Sequence, residues 1–190
     1  MAKETAHQLG TPLSSLMAWL EILKDKGIDE NSISEMNKDI IRLETITERF
    51  SKIGASSKLE KLDVVQVVSS GVTYLKARIS KKIKIVYINN DQSFFANINK
   101  ALFEWVIENL IKNAVDAMHG EGELTLRFGE HDKNIFIDFI DTGKGVPSTK
   151  LKNVFEPGYT TKERGWGLGL SLAKRIIQEH HGGKIFIHGS

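Results

Sequence analysis

Cysteine is absent from all 190 residues, which excludes disulfides, thiol redox chemistry and zinc–thiolate sites and suits a reducing, cytoplasmic setting. No run approaches the ~18 apolar residues of a membrane-spanning helix, and no apolar signal segment opens the chain. A dominant charge is missing as well. The 26 basic and 24 acidic residues leave a net charge of +2, too weak a field to gather nucleic acid, so most Lys and Arg read as solvated surface. None of the six histidines has metal-ligand spacing. Internal repeats and low-complexity tracts are lacking too. What remains is an ordinary globular balance, 41% hydrophobic and 26% charged. The length suits one medium domain, or a small domain followed by a larger one.

Hydrophobic periodicity divides the chain. Leu9, Leu13, Leu16, Leu20 and Leu23 are spaced 4, 3, 4, 3, a heptad stripe on a helix. A break follows at Lys26-Gly27-Ile28-Asp29, with Asp29, Asn31 and Ser32 as candidate N-caps. The stripe resumes at Met36, Ile40, Leu43, Thr47, Phe50 and Ile53. Two such helices form an α hairpin whose seam stays exposed in a single copy, so residues 1–56 are expected to pair with a second copy as a dimeric four-helix bundle. Gly54-Ala55-Ser56-Ser57 reads as a hinge. In residues 57–190 helical and strand patterns alternate. The expected elements are a helix over Val64–Ala77, a strand over Ile83–Ile88, a long helix over Ile98–Met118 and paired strands over Glu123–Phe128 and Asn134–Ile140. A Gly-rich stretch from Gly143 to Gly169, a helix to about His180 and a strand over Lys184–His188 follow. This order predicts an α+β sandwich, a mixed sheet under one helical layer.

The long helix carries Asn109, Asn113 and Asp116 at i, i+4 and i+7, a polar stripe beside an expected buried face of Val106, Leu110, Ala114 and Ala117. Amides at the margin of a core are costly unless they bind something, and an Asn carbonyl is a hard oxygen suited to Mg²⁺. A stripe that merely caps a neighbouring loop is the plain alternative. Asp141-Thr142-Gly143-Lys144-Gly145 ends an apolar strand, where a carboxylate can accept from an exocyclic amine and Gly143 and Gly145 leave room for a flat base. Phe155-Glu156-Pro157 precedes a Gly- and Thr-rich loop. Gly165-Trp166-Gly167-Leu168-Gly169 then runs into an amphipathic helix, whose bare amides suit phosphate. The Lys-Ser/Thr pair of a Walker motif is absent after these glycines.

These four elements, in this order, resemble the signature boxes of sensor histidine kinases, within the superfamily that includes gyrase, heat-shock chaperone and mismatch-repair ATPases. The resemblance implies a histidine kinase ATPase-type fold over 57–190 and binding of ATP with Mg²⁺. Asn109 and Asn113 match the N box, with Asn113 the expected metal ligand, and Asp141 matches the adenine-reading Asp. Phe155 marks the F box, and Gly165, Gly167, Leu168 and Gly169 fall in the second Gly box. The segment between is the implied ATP lid, in which Thr160, Thr161, Lys162 and Arg164 are the expected phosphate-side contacts. Trp166 reads equally as a lid latch or as packing.

The segment His7-Gln8-Leu9-Gly10-Thr11-Pro12-Leu13 resembles the phosphoacceptor box of the same family, so the resemblance covers nearly the whole chain. His7 lies two positions before Leu9, off the heptad seam, and Thr11 shares its face one turn on. Pro12 cannot donate to the carbonyl of Gln8, which loosens or kinks the helix there. The implied activity is autophosphorylation of His7 followed by transfer to an aspartate of a response-regulator receiver domain. Gln8 stands where most relatives have an acidic residue, so a general base is missing and the kinase is expected to be slow. Thr11 matches a position that assists regulator dephosphorylation. A nucleotide-binding scaffold or a phosphatase-dominant protein is therefore the alternative, and a non-kinase ATPase leaves the His-bearing hairpin unexplained. The resemblance also implies a longer helix before His7, leading in a full-length parent to a sensor or membrane span. A closing strand after Ser190 is expected too; without it the catalytic domain is truncated, exposes a sheet edge and depends on bound nucleotide, and the dimer is expected to be marginal.

Overall fold

The computed structural model describes residues 2–38, 40, 41, 43, 58–162 and 167–188, the side chains of residues 2–12 excepted. The chain separates into two compact units, residues 1–57 and 58–190.

In the first unit helix α1 spans Ala2–Asp25, and residues 30–38, 40, 41 and 43 are helical, a second helix α2. Gly27, at φ +73°, turns the chain out of α1, and its N–H donates to Lys24 O at 3.1 Å. Asp29 is the cap of α2. Its carboxylate accepts from the Ser32 hydroxyl, the Ser32 N–H at 3.3 Å and the Asn31 N–H at 3.0 Å, and these bonds, the Ser32 hydroxyl first, hold its carboxyl below the ordinary aspartate range. The leucine stripe splits between two directions. Leu13 and Leu20 are buried with Ile40, with Ile33 and Leu43 packed alongside, whereas Leu16 is 46% exposed. Met17, Trp19, Ile22, Met36 and Ile41 are exposed with it. Thr47, Phe50, Ile53 and the expected hinge at Gly54 lie outside the described residues.

The second unit contains β1 (Glu60–Asp63), α3 (Val64–Lys76), β2 (Ile83–Ile88), β3 (Phe95–Ile98), α4 (Lys100–Ala117), β4 (Gly122–His131), β5 (Asn134–Asp141) and α5 (Gly169–Arg175). A 3₁₀ turn at Ser148–Lys150 and a π turn at Ile176–His180 complete it. A three-stranded sheet has the order β2-β4-β5, with β2 parallel and β5 antiparallel to β4. The mixed sheet expected from the sequence is present. Leu124, Leu126 and Phe128 point inward from β4 and are fully buried against Ile107 and Ile111 of α4 and Val64 and Val68 of α3. Each such side chain contributes roughly 1.5–3 kcal/mol on burial. The opposite sheet face carries Ile88, Phe136 and Ile140, all exposed, and the Arg127–Asp138 pair. Asp132 and Lys133, both at positive φ, make the tight turn between β4 and β5.

Three expectations need correction. First, β1 and β3 form a separate antiparallel pair that the pattern did not announce, and Ile98 belongs to β3 rather than to the long helix. Each is four residues long, too short for period-two alternation to register. Second, the buried face of α4 is Phe103, Val106, Ile107, Ile111 and Ala114, while Leu110 and Ala117 are only half-buried. The core lies further round the helix from Asn109 and Asn113 than expected. Third, Lys184–His188 is not a strand. Among the described residues the segment has no ladder partner, and Phe186 is 67% exposed.

Candidate nucleotide-binding site

Helix α4 begins at a tied-down N-terminus. Asn99 caps it, its Oδ1 accepting from the Leu102 N–H at 3.1 Å, and its own N–H donates to His181 Nε2 at 3.0 Å. His181 Nδ1 lies 3.0 Å from Ile176 O, so Nδ1 is the donor and Nε2 the acceptor in this arrangement. The bond joins the start of α4 to the end of the helix that follows the Gly-rich segment. The Asn99 cap has a sequence signal, because Asn ahead of an apolar helical run is an N-cap signature, whereas nothing local marks His181 as its partner.

From this anchored start, Asn109, Asn113 and Asp116 fall on one side of α4. The Asn109 amide donates to Trp105 O at 3.1 Å. A Cβ on Gly169 would stand 3.0 Å from Asn109 Oδ1, so the first residue of α5 is drawn up to the amide. Lys162 reaches the other two: its ammonium donates to Asn113 Oδ1 at 3.0 Å and to Asp116 Oδ2 at 2.5 Å. Residues 46 and 49 positions apart in sequence are thus held together at the exposed rim of α4.

Asp141 ends β5, exposed, and its Oδ1 accepts from the Gly143 N–H at 2.9 Å. Thr142 extends the ladder, donating its N–H to Glu123 O at 3.1 Å and accepting the Glu123 N–H on its hydroxyl at 3.0 Å. The Lys144 N–H donates to Ala117 O at 3.1 Å, which seats the turn on the last turn of α4. A Cβ on Gly143 would fall 2.6 Å from the Ala117 carbonyl carbon. Gly143 is therefore required by the approach of α4 and not only by room for a base. Gly145 adopts φ +64°, a left-handed conformation that favours glycine.

Phe155 is half-buried with the Lys174 ammonium 5.4 Å from its ring centroid, and Val154 beside it is buried. The loop that follows is pinched at its neck. The Gly158 N–H donates to Gly167 O at 3.1 Å, and Gly167, at φ +64°, has no space for a Cβ, which would meet the Gly158 carbonyl carbon at 2.4 Å. Thr160 and Thr161 are exposed, and the Thr160 hydroxyl accepts the Lys162 N–H at 3.1 Å. Leu168 is half-buried, and its carbonyl accepts from the Leu172 N–H and the Ser171 hydroxyl, both at 3.0 Å. Arg164, Gly165 and Trp166 lie outside the described residues.

The elements brought together are the polar stripe of α4, the Asp141–Gly145 turn against the end of that helix, and Gly169 with Lys162 from the Gly-rich segment. Asn113 and Asp116 present two hard oxygens one helical turn apart, and both already hold a positive group, so the donor set fits a hydrated Mg²⁺ shared with phosphates. Among the described residues no three His, Cys, Asp or Glu side chains cluster as an all-protein metal cage. In the first unit His7, Gln8 and Thr11 belong to α1, whose backbone stays helical through Pro12.

Comparison with known proteins bears on this geometry. The family model for histidine kinase-, DNA gyrase B-, and HSP90-like ATPases matches residues 99–190. Sporulation kinase D of Bacillus subtilis (strain 168) is 28% identical over 195 residues, covering 98% of this chain and 38% of that protein. Signal transduction histidine-protein kinase AtoS of Escherichia coli (strain K12) is 24% identical, covering 93% of this chain and 30% of that protein. Across sporulation kinases D, E, A and C the chain spans 26–44% of each relative's length. Among solved structures, the catalytic domain of histidine kinase ThkA superposes with a TM-score of 0.63 at 23% identity, covering 68% of this chain and 86% of that one. ThkA in complex with the response regulator TrrA gives 0.66 at 21% identity over 96% of this chain and 55% of that one, a likeness of fold. Residues 99–190 match the histidine kinase-, DNA gyrase B-, and HSP90-like ATPase family, and over nearly its whole length the chain is similar to histidine kinases, which supports a sensor histidine kinase catalytic region.

Proposed function

We propose that the protein binds Mg·ATP on α4, transfers the γ-phosphoryl group to His7, and passes it to an aspartate of a response-regulator receiver domain. The observation that carries this reading is the convergence on one face of α4 of the Asn109–Asn113–Asp116 stripe, the Asp141 turn and Lys162. Asp141 reads the adenine amine, as a carboxylate at the end of β5 beside a flat glycine turn suits. Lys162, with Thr160, Thr161 and Arg164, faces the phosphates, and Gly165, Gly167, Leu168 and Gly169 bring bare amides to them. Asn113 holds the metal, with Asp116 beside it and Asn109 on the triphosphate side. Magnesium, when bound, offsets the negative charge of the triphosphate.

The chemistry at the acceptor belongs to α1. The Nε2 lone pair of neutral His7 attacks the γ-phosphorus in line, the N–P bond forms, and the P–O bond to ADP breaks with its electrons leaving on ADP. Gln8 accepts the Nδ1–H and so selects the tautomer that frees Nε2, but it cannot take a proton, which water must remove. The missing base lowers the rate by about 10²–10⁴-fold. The receiver carboxylate then attacks the phosphorus and His7 leaves. The fold shared with ThkA, which was solved with a response regulator, supports a partner of this kind. Residues 1–56 form the homodimer: Leu16, Trp19 and Ile22, at i, i+3 and i+6 on α1, are apolar and exposed, and the heptad spacing suits an identical helix pair against them.

Gln8 and Thr11 favour a second reading, in which regulator dephosphorylation dominates and phosphorylation is weak. Incubation of the full chain with γ-³²P-ATP and Mg²⁺ separates the two. Acid-labile, base-stable label that disappears in His7→Ala and rises in Gln8→Glu is the expected result. Nucleotide binding without label, and loss of label from a phosphorylated regulator, would move the protein to the phosphatase reading.

A further inference from the structure

We infer that Lys162 is a built-in cation that competes with the divalent metal for Asn113, so that metal-nucleotide enters by exchange and releases the lysine toward the phosphates. The inference rests on the reading of Asn113 as the metal ligand. Its own observation is that one ammonium bridges Asn113 Oδ1 at 3.0 Å and Asp116 Oδ2 at 2.5 Å. These oxygens belong to two of the three polar side chains of the stripe, and an ammonium held on the same amide oxygen that coordinates Mg²⁺ at ~2.1 Å sets two cations close together at the cost of their repulsion. The two occupants therefore compete for the same oxygen.

Asp116 has the distinct role of a parking site. Its carboxylate pairs with Lys162 across 46 residues, with 42% and 53% of the two side chains exposed, and Thr160 fixes the lysine backbone beside it. Parking serves selection. A nucleotide arriving without metal meets a lysine already engaged, whereas a metal complex evicts that lysine from Asn113 and gains its charge for the phosphates. Because the pair is half in solvent, the competition is modest, about three- to fivefold in metal affinity.

Mn²⁺ serves as the probe, with its free concentration followed by electron paramagnetic resonance on the full chain at saturating ADP. Lys162→Met, which keeps the stem and removes the charge, is expected to bind Mn²⁺ three- to fivefold more tightly than wild type, while Lys162→Arg stays at the wild-type value. Equal or weaker Mn²⁺ binding in Lys162→Met, or the same tightening in Lys162→Arg, would overturn the competition. Asn113→Ala is the control for the underlying reading. If it lowers Mn²⁺ affinity while Lys162→Met changes nothing, the metal assignment stands and only the exchange fails. If Asn113→Ala leaves Mn²⁺ binding unchanged, the metal assignment falls and the exchange falls with it.

Discussion

Gly143 concentrates two demands on one residue. Its N–H is held by the Asp141 carboxylate, and its missing side chain lets Ala117 of α4 come within a distance no Cβ tolerates. Gly143→Ala therefore must move either the turn or the helix end. We expect a loss of roughly 1–3 kcal/mol in thermal unfolding together with weakened ADP binding. Unchanged ADP affinity would show that the turn adjusts without disturbing the base site. At this scale much of the candidate site is legible in sequence, because Asn109, Asn113, Asp116, Asp141 and Gly143 sit in short motifs with fixed spacing. The Lys162 bridge and the Asn99–His181 bond are not legible, because each joins residues dozens of positions apart and no local pattern encodes the partner.

At the scale of the element, α4 was easy to find and hard to orient. Its apolar residues occupy more than half its circumference, so periodicity identifies the helix but sets Leu110 in its core, whereas Ile111 is the residue fully buried in the cluster with β4. Strand 184–188 fails for the opposite reason. Lys-Ile-Phe-Ile-His has strand propensity, but propensity needs a ladder to act in. β1 and β3 escape the pattern because Glu60, Lys61 and Asp63 leave β1 one apolar residue and β3 is only four residues long, so pairing, with Lys61 opposite Asn97, makes them strands. The anchoring of α4 is testable. Asn99→Ala removes the cap on Leu102 and should lower stability to urea by about 1–2 kcal/mol. A change within experimental error would mean that the His181 bond to the backbone suffices.

For the whole molecule, the two units meet the apolar problem differently. The second encloses Phe128, Ile107, Ile111, Leu124 and Leu126 completely, whereas the first buries only Leu13, Leu20 and Ile40 among its described residues. A core that small does not hold two helices together alone. Sedimentation of the full chain should therefore show a dimer whose dissociation with dilution lowers helix content, and Leu16→Glu with Ile22→Glu should yield a monomer. A wild-type chain that stays monomeric at high concentration would remove the bundle from the proposal. The two-part organisation was readable from the change of hydrophobic period near residue 57. The division of the leucine stripe into inward and outward residues was not, because spacing alone does not say which copy a leucine faces.

The tight Asp132–Lys133 turn carries a further implication about time. Strands β4 and β5 pair outward from His131 and Asn134, so this hairpin closes a loop of minimal length, whereas β2 meets β4 only after the chain between Ile88 and Gly122 has been gathered in. Local topology favours an order of events in which the Asp141 end of the site is drawn into register early and the α4 side arrives with the slower crossover. A nascent chain emerging residue by residue offers the two in the reverse sequence, α4 before the hairpin. Until β5 has been made, α4 has no sheet complete enough to cover its apolar side, and the interval between the two is when this domain is most exposed to misassociation.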